Sequence, residues 1–311
     1  MNRFPTASRP VADSEPALAA LLEQLLEQYR GAVNCVLVYG SCLRSGDLHD
    51  GLLDLYLICD DYRSAYGSGL LAMANRLLPP NVFYAEVSHE NRILRCKYAL
   101  LSSAQLARRT KRSTMESYFW GRFAQPVAIA WQRDEESRRQ VEKCLLTAVT
   151  TLLRAALPAL PASASVQQLW QQALGLSYRT ELRTESSART AQLSAVGASH
   201  FEQVTRLAQE AGLPLELWEE RGSGHYRSHC NKLQRAWARL TWPLRTAMGK
   251  PRSILRLVKA LFTFAGGLDY IAWKLERHSG QQITVPPKVR KRPLLYCWGF
   301  FWKLYRRGVF K

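Results

Sequence analysis

The sequence predicts an α+β protein in which a mixed β-sheet is followed by a helical region and a basic, amphipathic tail. Short apolar runs typical of strands are concentrated before residue 133, and apolar residues then recur mostly at helical spacing up to residue 242. Cationic residues are concentrated near the C-terminus. With 311 residues, 47% of them hydrophobic, the chain is long enough for about two domains and too apolar to be disordered.

The first domain is predicted to span residues 15–133, after a loose tail over residues 1–14. Leucines at helical spacing between residues 18 and 26 predict an amphipathic helix, and residues 62–78 are predicted as helix or loop and helix, ending at Pro79-Pro80. Another helical piece is predicted near residues 117–123. The predicted strands are residues 34–39, 52–59, 82–87, 93–101 and 127–132.

The second domain is predicted to be helical and to span residues 134–242, with breaks at proline and glycine residues. Residues 243–311 form the predicted tail, which Pro286-Pro287 divides into two helical segments at residues 252–277 and 293–311.

The net charge of +18 favours an anionic partner. Residues 232–311 contain 18 basic and two acidic residues, so their net charge is +16. The same stretch holds five of the nine tryptophans, and tryptophan beside cations suits lipid headgroups as well as stacked bases. Composition therefore predicts either a membrane surface or nucleic acid as the partner.

Glutamates interrupt the apolar runs near the N-terminus, so we expect no signal peptide. The longest apolar runs reach about half of the ~20 residues that a membrane-spanning helix needs. Seven cysteines without a CxxC pair indicate neither a disulfide framework nor a zinc module. We expect a cytoplasmic protein without a transmembrane span.

The motif VLVYGS at residues 36–41 combines a strand with a turn, and Asp54 lies inside the next apolar run. Gly40 would let the backbone approach a triphosphate, Ser41 would donate to its oxygens, and the Asp54 carboxylate would hold Mg²⁺. An acid between two leucines is costly to bury unless a cation or a donor meets it. This pattern resembles nucleotidyltransferases of the polymerase-β type.

A second metal-binding acid is expected two residues after Asp54, but Tyr56 occupies that position. Glu86 lies in another strand-like run and is predicted to supply the missing oxygen from the neighbouring strand. Asp47 and Asp50, in the loop before Asp54, are the reserve candidates.

Several motifs together resemble the mitochondrial and bacterial translocator-assembly-and-maintenance type of phosphatidate cytidylyltransferase, a peripheral CDP-diacylglycerol synthase. No single motif is strong, and their order and spacing support the resemblance. Beside VLVYGS they are LLDLYLICDD at residues 52–61, KYALLS at 97–102, YFWGRFAQPV at 118–127 and LSYRTELRTES at 176–186.

The resemblance implies a polymerase-β-type nucleotidyltransferase domain with a mixed sheet, followed by a winged-helix-like domain. It also implies that Mg²⁺, CTP and phosphatidate give CDP-diacylglycerol and pyrophosphate, with Lys97 and Arg122 as catalytic residues beside Asp54. The implied nucleotide-binding residues are Tyr39, Gly40, Ser41, Tyr178, Arg179, Glu181 and Arg183.

Residues 293–311, taken as a helix, place aromatic side chains on one broad face and cations largely outside it, the pattern of an interfacial membrane helix. We therefore expect peripheral association with the anionic inner face of a membrane and no nucleic-acid partner. A nucleotidyltransferase that modifies RNA or a small molecule is the alternative, and a non-catalytic membrane scaffold is a third. The predicted membrane-binding residues are Trp298, Phe301, Trp302, Lys303, Arg306 and Arg307.

Overall fold

A mixed five-stranded sheet forms the first part of this computed structural model. Strands β2 and β4 run parallel, whereas the other neighbouring pairs are antiparallel, and the order across the sheet is β3-β4-β2-β1-β5. The predicted α+β class with a mixed sheet is confirmed. The strands are β1 Val33–Tyr39, β2 Leu53–Cys59, β3 Asn81–His89, β4 Arg92–Ser102 and β5 Ala128–Gln132. The structure describes residues 4–6, 15–45, 48, 52–67, 69–90, 92–181, 194, 197–220, 222–263, 276, 282–291 and 293–306.

Each face of the sheet carries its own hydrophobic core, because side chains alternate between the faces along a strand. Leu18 and other leucines of α1 pack on the face that carries Val36 and Leu55. The opposite face, with Leu37 and Tyr56, is partly covered by α6 and by the helices that follow. The helices associated with the sheet are α1 Pro16–Gln28, α2 Ser41–Ser45, α3 Tyr62–Tyr66, α4 Gly69–Leu77, α5 Ser103–Thr110 and α6 Tyr118–Phe123.

The region after residue 133 is mainly helical, as predicted, but it also contains a small antiparallel sheet with strand order β6-β8-β7. Gly222 lies in the connection between β7 and β8, where its φ of +75° favours glycine, and Gly224 pairs with Glu219 within the sheet. The elements are α7 Glu135–Ala156, β6 Ser163–Ser165, α8 Val166–Arg179, α9 Ala198–Glu210, β7 Leu215–Glu220 and β8 Ser223–Ser228.

A long helix, α10 Lys232–Thr263, leads into the C-terminal part of the chain. The boundary predicted at residue 242 falls inside this helix, which continues through Pro243 and Pro251. Trp242 anchors this point, because its buried indole Nε1 donates to the Ala155 carbonyl at 3.1 Å.

The predicted segment 252–277 is helical to Thr263 as the end of α10, and its later residues lie outside the described ranges apart from Glu276. Two further helices follow, α11 Pro287–Lys291 and α12 Pro293–Arg306, and α12 covers most of the predicted segment 293–311. Within the described ranges, no helix is both long enough and apolar enough to cross a membrane.

Candidate active site

Three of the predicted site residues lie side by side on one face of the sheet, where β1 and β2 leave the hydrophobic core. Tyr39 of β1 pairs with Asp54 of β2, and Asp54 pairs with Lys97 of β4, so the three residues form a row across the sheet. Two positions along β2, Tyr56 faces the same side but is buried against Phe123 of α6, with ring centres 4.8 Å apart. The row therefore lies beside the edge of the covering helices.

Asp54 is the acidic centre of this row. Its side chain is 26% exposed, and Oδ1 lies 3.8 Å from the Lys97 ammonium. A cation does meet this in-strand acid, as the cost of burying an unpaired carboxylate requires. Most of the Lys97 side chain is covered, but 37% remains exposed, so both charges are accessible from solvent.

Gly40 lies against the Asp54 carboxylate. Its φ is +91°, in the region that favours glycine, and a Cβ atom placed on it would be 2.7 Å from Asp54 Oδ2. Ser41 follows at once and begins the short helix α2, where it is exposed. The absence of a side chain at Gly40 thus leaves room for the carboxylate and for a ligand approaching the backbone.

Arg122, at the end of α6, brings a second cation to the row. Its Nη1 donates to the Tyr39 hydroxyl at 3.3 Å, and its guanidinium carbon lies 5.4 Å from the centre of the Tyr39 ring. Arg122 Nε is buried and has no hydrogen-bond partner among the described residues. Burial raises the pKa of Tyr39 and the nearby Asp54 carboxylate raises it further, so this hydroxyl stays neutral.

Helix α8 ends at Arg179 and Thr180 caps it, so Glu181 lies outside this helix. The Thr180 hydroxyl donates to the Ser177 carbonyl at 2.7 Å and lies 2.6 Å from the Ser117 hydroxyl, which stops the helix beside α6.

The structure brings only some of the remaining predicted nucleotide-binding residues close to the row. Tyr178 is buried and donates to Gln125 Oε1 at 2.9 Å, which places it behind α6, whereas Arg179 is exposed. The Glu181 carboxylate acts on Arg122 electrostatically and favours the charged form of its guanidinium group. Arg183 lies outside the described residues.

Glu86 is not on the strand next to Asp54, so that part of the prediction is wrong. The neighbour of β2 is β4, and β3 lies one strand farther out. The Glu86 carboxylate accepts from the Tyr84 hydroxyl at 2.7 Å and lies 3.4 Å from Arg95 Nε. Asp47 and Asp50 lie outside the described residues.

The residues around Asp54 fit a Mg²⁺ ion that takes one ligand from the protein and others from a substrate. Within the described ranges, no group of three or more His, Cys, Asp or Glu residues could enclose a metal ion. Mg²⁺ commonly keeps several waters and binds through one or two carboxylates plus substrate phosphates. One partly exposed carboxylate beside the open backbone at Gly40 suits that mode.

Sequence reasoning missed a second charged cluster, built around Glu116 just before α6. Arg109 of α5 reaches Glu116 from one side, and Arg252 and Arg256 of α10 reach it from another. Nothing in the local pattern marks Glu116, since its partners on α10 are distant in the sequence. The available signal was the recurrence of cations on α10 at the spacing of one helix face.

The chain is similar to a nucleotidyltransferase-like protein from Exiguobacterium sibiricum whose structure is solved, with 11% identity and a TM-score of 0.26 over 69% of this chain and 99% of that one. That likeness is too distant to carry an argument. No curated protein matches the chain.

A family described as phosphatidate cytidylyltransferase, mitochondrial, matches residues 60–211. The matched segment includes Lys97 and Arg122, and it begins six positions after Asp54. The match confirms the resemblance predicted from the sequence: over residues 60–211, the chain is similar to the mitochondrial type of phosphatidate cytidylyltransferase.

Proposed function

We propose that the row formed by Tyr39, Asp54 and Lys97, with Arg122 beside it, catalyses Mg²⁺-dependent transfer of the cytidylyl group from CTP to phosphatidate. The family match supports the nucleotidyltransferase activity and both substrates. The observation that carries the proposal is the Asp54 carboxylate, which lies against Gly40 and 3.8 Å from the Lys97 ammonium, while Arg122 bonds to the neighbouring Tyr39.

In the reaction, a phosphate oxygen of phosphatidate attacks the α-phosphorus of CTP. One phosphorus–oxygen bond forms, the bond to the β-phosphate breaks, and pyrophosphate leaves with that electron pair. The attacking oxygen is already an anion, so no general base is required. Catalysis then depends on positioning and charge neutralisation, which suits the acid Asp54 and the cations Lys97 and Arg122 that the described residues bring together.

Each charged residue has a role that its position supports. Asp54 would hold the Mg²⁺ ion, which supplies Lewis-acid stabilisation of the phosphate oxygens when bound. Lys97, 3.8 Å from that carboxylate, would neutralise a phosphate oxygen at the same place. Arg122 would contact phosphate with the donors that Tyr39 leaves available, since the planar guanidinium binds phosphate in a fixed orientation.

We also propose that α10 and α12 hold the enzyme on an anionic membrane surface, where phosphatidate resides. One face of α10 exposes apolar residues at alternating spacings of three and four, whereas the helix contains no acidic residue. An anionic surface matches such a helix, and a second copy of it would be repelled. The exposed face consists of Leu233, Trp237, Leu240, Leu244, Ala247, Pro251, Ile254 and Val258.

Helix α12 also exposes both apolar and cationic side chains. Trp298 and Trp302 are 78% and 62% exposed, and Lys303 and Arg306 are exposed as well. Large exposed aromatic side chains beside cations are typical of helices that lie in the headgroup layer. Phe301 lies within α12, and Arg307 lies outside the described residues.

The activity is tested by incubating the purified chain with α-labelled CTP, Mg²⁺ and vesicles containing phosphatidate. We expect labelled CDP-diacylglycerol and a molar equivalent of pyrophosphate, and no product when Mg²⁺ is chelated. Parallel reactions contain labelled ATP in place of CTP, or RNA in place of lipid. Label in RNA without labelled lipid would contradict the proposal, and so would full activity without a divalent cation.

Membrane binding is tested by cosedimentation with vesicles that contain anionic lipid. The double variant Leu233→Gln and Trp237→Gln should bind more weakly than the wild type, because it removes apolar burial without changing charge. Ile93→Gln on β4 is the matched control, since Ile93 is also exposed but lies outside α10. Equal binding by all three proteins would contradict the role of α10.

A further inference from the structure

Glu116 is the centre of a buried cationic cluster that the proposed chemistry does not yet use. Its side chain is only 3% exposed. Arg109 Nη1 lies 3.1 Å from Oε2, Arg256 Nη2 contacts Oε1, and Arg252 Nη1 lies 3.9 Å from Oε2. Three guanidinium groups from two helices therefore surround one carboxylate.

The cluster has an excess of positive charge. Glu116 is the only carboxylate that the described residues place in an ion pair with these arginines, so the four side chains carry a net charge of +2. Burial lowers the pKa of Arg109, and although Glu116 raises it, Arg256 and Arg252 lower it again. Uncompensated charge away from water is costly, so an anion would stabilise this arrangement.

Arg252 offers donors to such an anion. A separation of 3.9 Å from Glu116 is too long for a hydrogen bond, and the Arg252 side chain is 37% exposed. By contrast, the Arg256 side chain is 12% exposed, and its Nε donates to the Pro79 carbonyl at 2.8 Å. Arg256 therefore holds α10 in place, whereas Arg252 lies at the accessible edge of the cluster.

The cluster adjoins the proposed reaction centre through one aromatic ring. The guanidinium carbon of Arg256 lies 4.1 Å from the centre of the Tyr118 ring, and that of Arg122 lies 5.0 Å from the same centre. The two guanidinium groups are thus separated by no more than the sum of these distances. A ligand at the cluster would be close to phosphate held by Arg122.

Apolar side chains flank the cluster, which indicates an amphiphilic ligand. Lys259, one turn after Arg256, donates to the carbonyls of Leu78 and Pro80 and so joins α10 to the end of α4. Leu77 at that end is 72% exposed, and Leu255 of α10 is 55% exposed. Hydrocarbon beside a net charge of +2 suits a lipid phosphate better than a nucleotide.

We propose that Arg109, Arg252 and Arg256 bind the phosphomonoester headgroup of the acceptor lipid, with Glu116 fixing their geometry. A phosphomonoester carries a charge of about −1.5 to −2 at pH 7, which balances the cluster. This inference rests on the proposed function, because it assigns the binding site of phosphatidate in that reaction.

The test measures binding directly, using dihexanoyl-phosphatidate below its micellar concentration and isothermal titration calorimetry. Arg252→Gln should weaken binding about tenfold, the loss expected for one charge-assisted hydrogen bond, and leave the melting temperature and CTP binding unchanged. Arg239→Gln is the matched control, because Arg239 is exposed on the same helix and loses the same charge. It should bind like the wild type.

Three results would overturn the inference: equal lipid affinity in Arg252→Gln and the wild type, equal weakening in Arg239→Gln, or weakened binding of CTP or pyrophosphate in place of the lipid. The last result would show that the cluster holds the triphosphate. Failure of the proposed function can be told apart from failure of this inference, because the wild type would then show no turnover. If Arg252-dependent lipid binding persists without turnover, the binding site stands and the proposed reaction does not.

Discussion

Replacing Gly40 by alanine should damage the reaction centre more than the fold. The added Cβ would lie 2.7 Å from Asp54 Oδ2, a separation that real Cβ atoms essentially never show, so either the carboxylate or the turn must move. A shift of about 1 Å in a catalytic group can cost about 100-fold in rate, and we expect a kcat loss of that order. The left-handed backbone adds about 1–2 kcal/mol of destabilisation.

Gly31→Ala separates these two effects. Gly31 has a φ of +78°, but nothing lies within 4 Å of a Cβ placed there. Both variants should therefore lose a similar free energy of unfolding in urea, whereas only Gly40→Ala should lose turnover of CTP and phosphatidate. If Gly40→Ala is as active as Gly31→Ala, the close approach of Gly40 to the Asp54 carboxylate does not matter, and the reasoning is refuted.

Three further outcomes follow from buried charge. Glu116→Gln should lower the free energy of unfolding by about 3–5 kcal/mol in urea, because it leaves buried cations without their carboxylate. Burial lowers the pKa of His200 from 6.5 to about 4. As the pH is lowered from 6.5 to about 4, the unfolded chain therefore binds a proton that the folded chain does not, and the melting temperature should decrease. His200→Gln should remove this part of the slope. Arg122→Gln should lower kcat about 100-fold or more, with an unchanged melting curve.

Each of these outcomes has a clear contrary result. A loss below about 1 kcal/mol in Glu116→Gln would mean that the cluster behaves as an exposed pair. The same acid slope in His200→Gln and the wild type would assign it to other groups. Near-normal turnover in Arg122→Gln would remove that residue from the reaction.

The strands were predictable because their apolar runs are short and bounded by turns, and each of the five matches its prediction to within two residues at either end. Their pairing was not predictable. Asp54 and Lys97 meet only because β2 and β4 run parallel as neighbours, with β3 at the edge. The same topology removes Glu86 from the neighbourhood of Asp54, which no local pattern indicated.

Long-range contacts account for the other differences. Thr180 ends α8 through its hydrogen bond with Ser117, a partner 63 positions away, so no local pattern indicated where this helix ends. Arg256 and Glu116 are 140 positions apart. The spacing of Arg252 and Arg256 is that of one helix face, but only the folded chain shows that this face of α10 meets a buried carboxylate.

The most direct test of the central claim compares Asp54→Asn with Glu86→Gln in the labelled CTP assay at saturating Mg²⁺. The amide keeps the volume of Asp54 but not the charge that would hold the metal ion. We predict that Asp54→Asn abolishes CDP-diacylglycerol formation with an unchanged circular dichroism spectrum, whereas Glu86→Gln keeps most of it. Near-normal turnover by Asp54→Asn would contradict the assignment of this carboxylate as the metal-binding centre of the reaction.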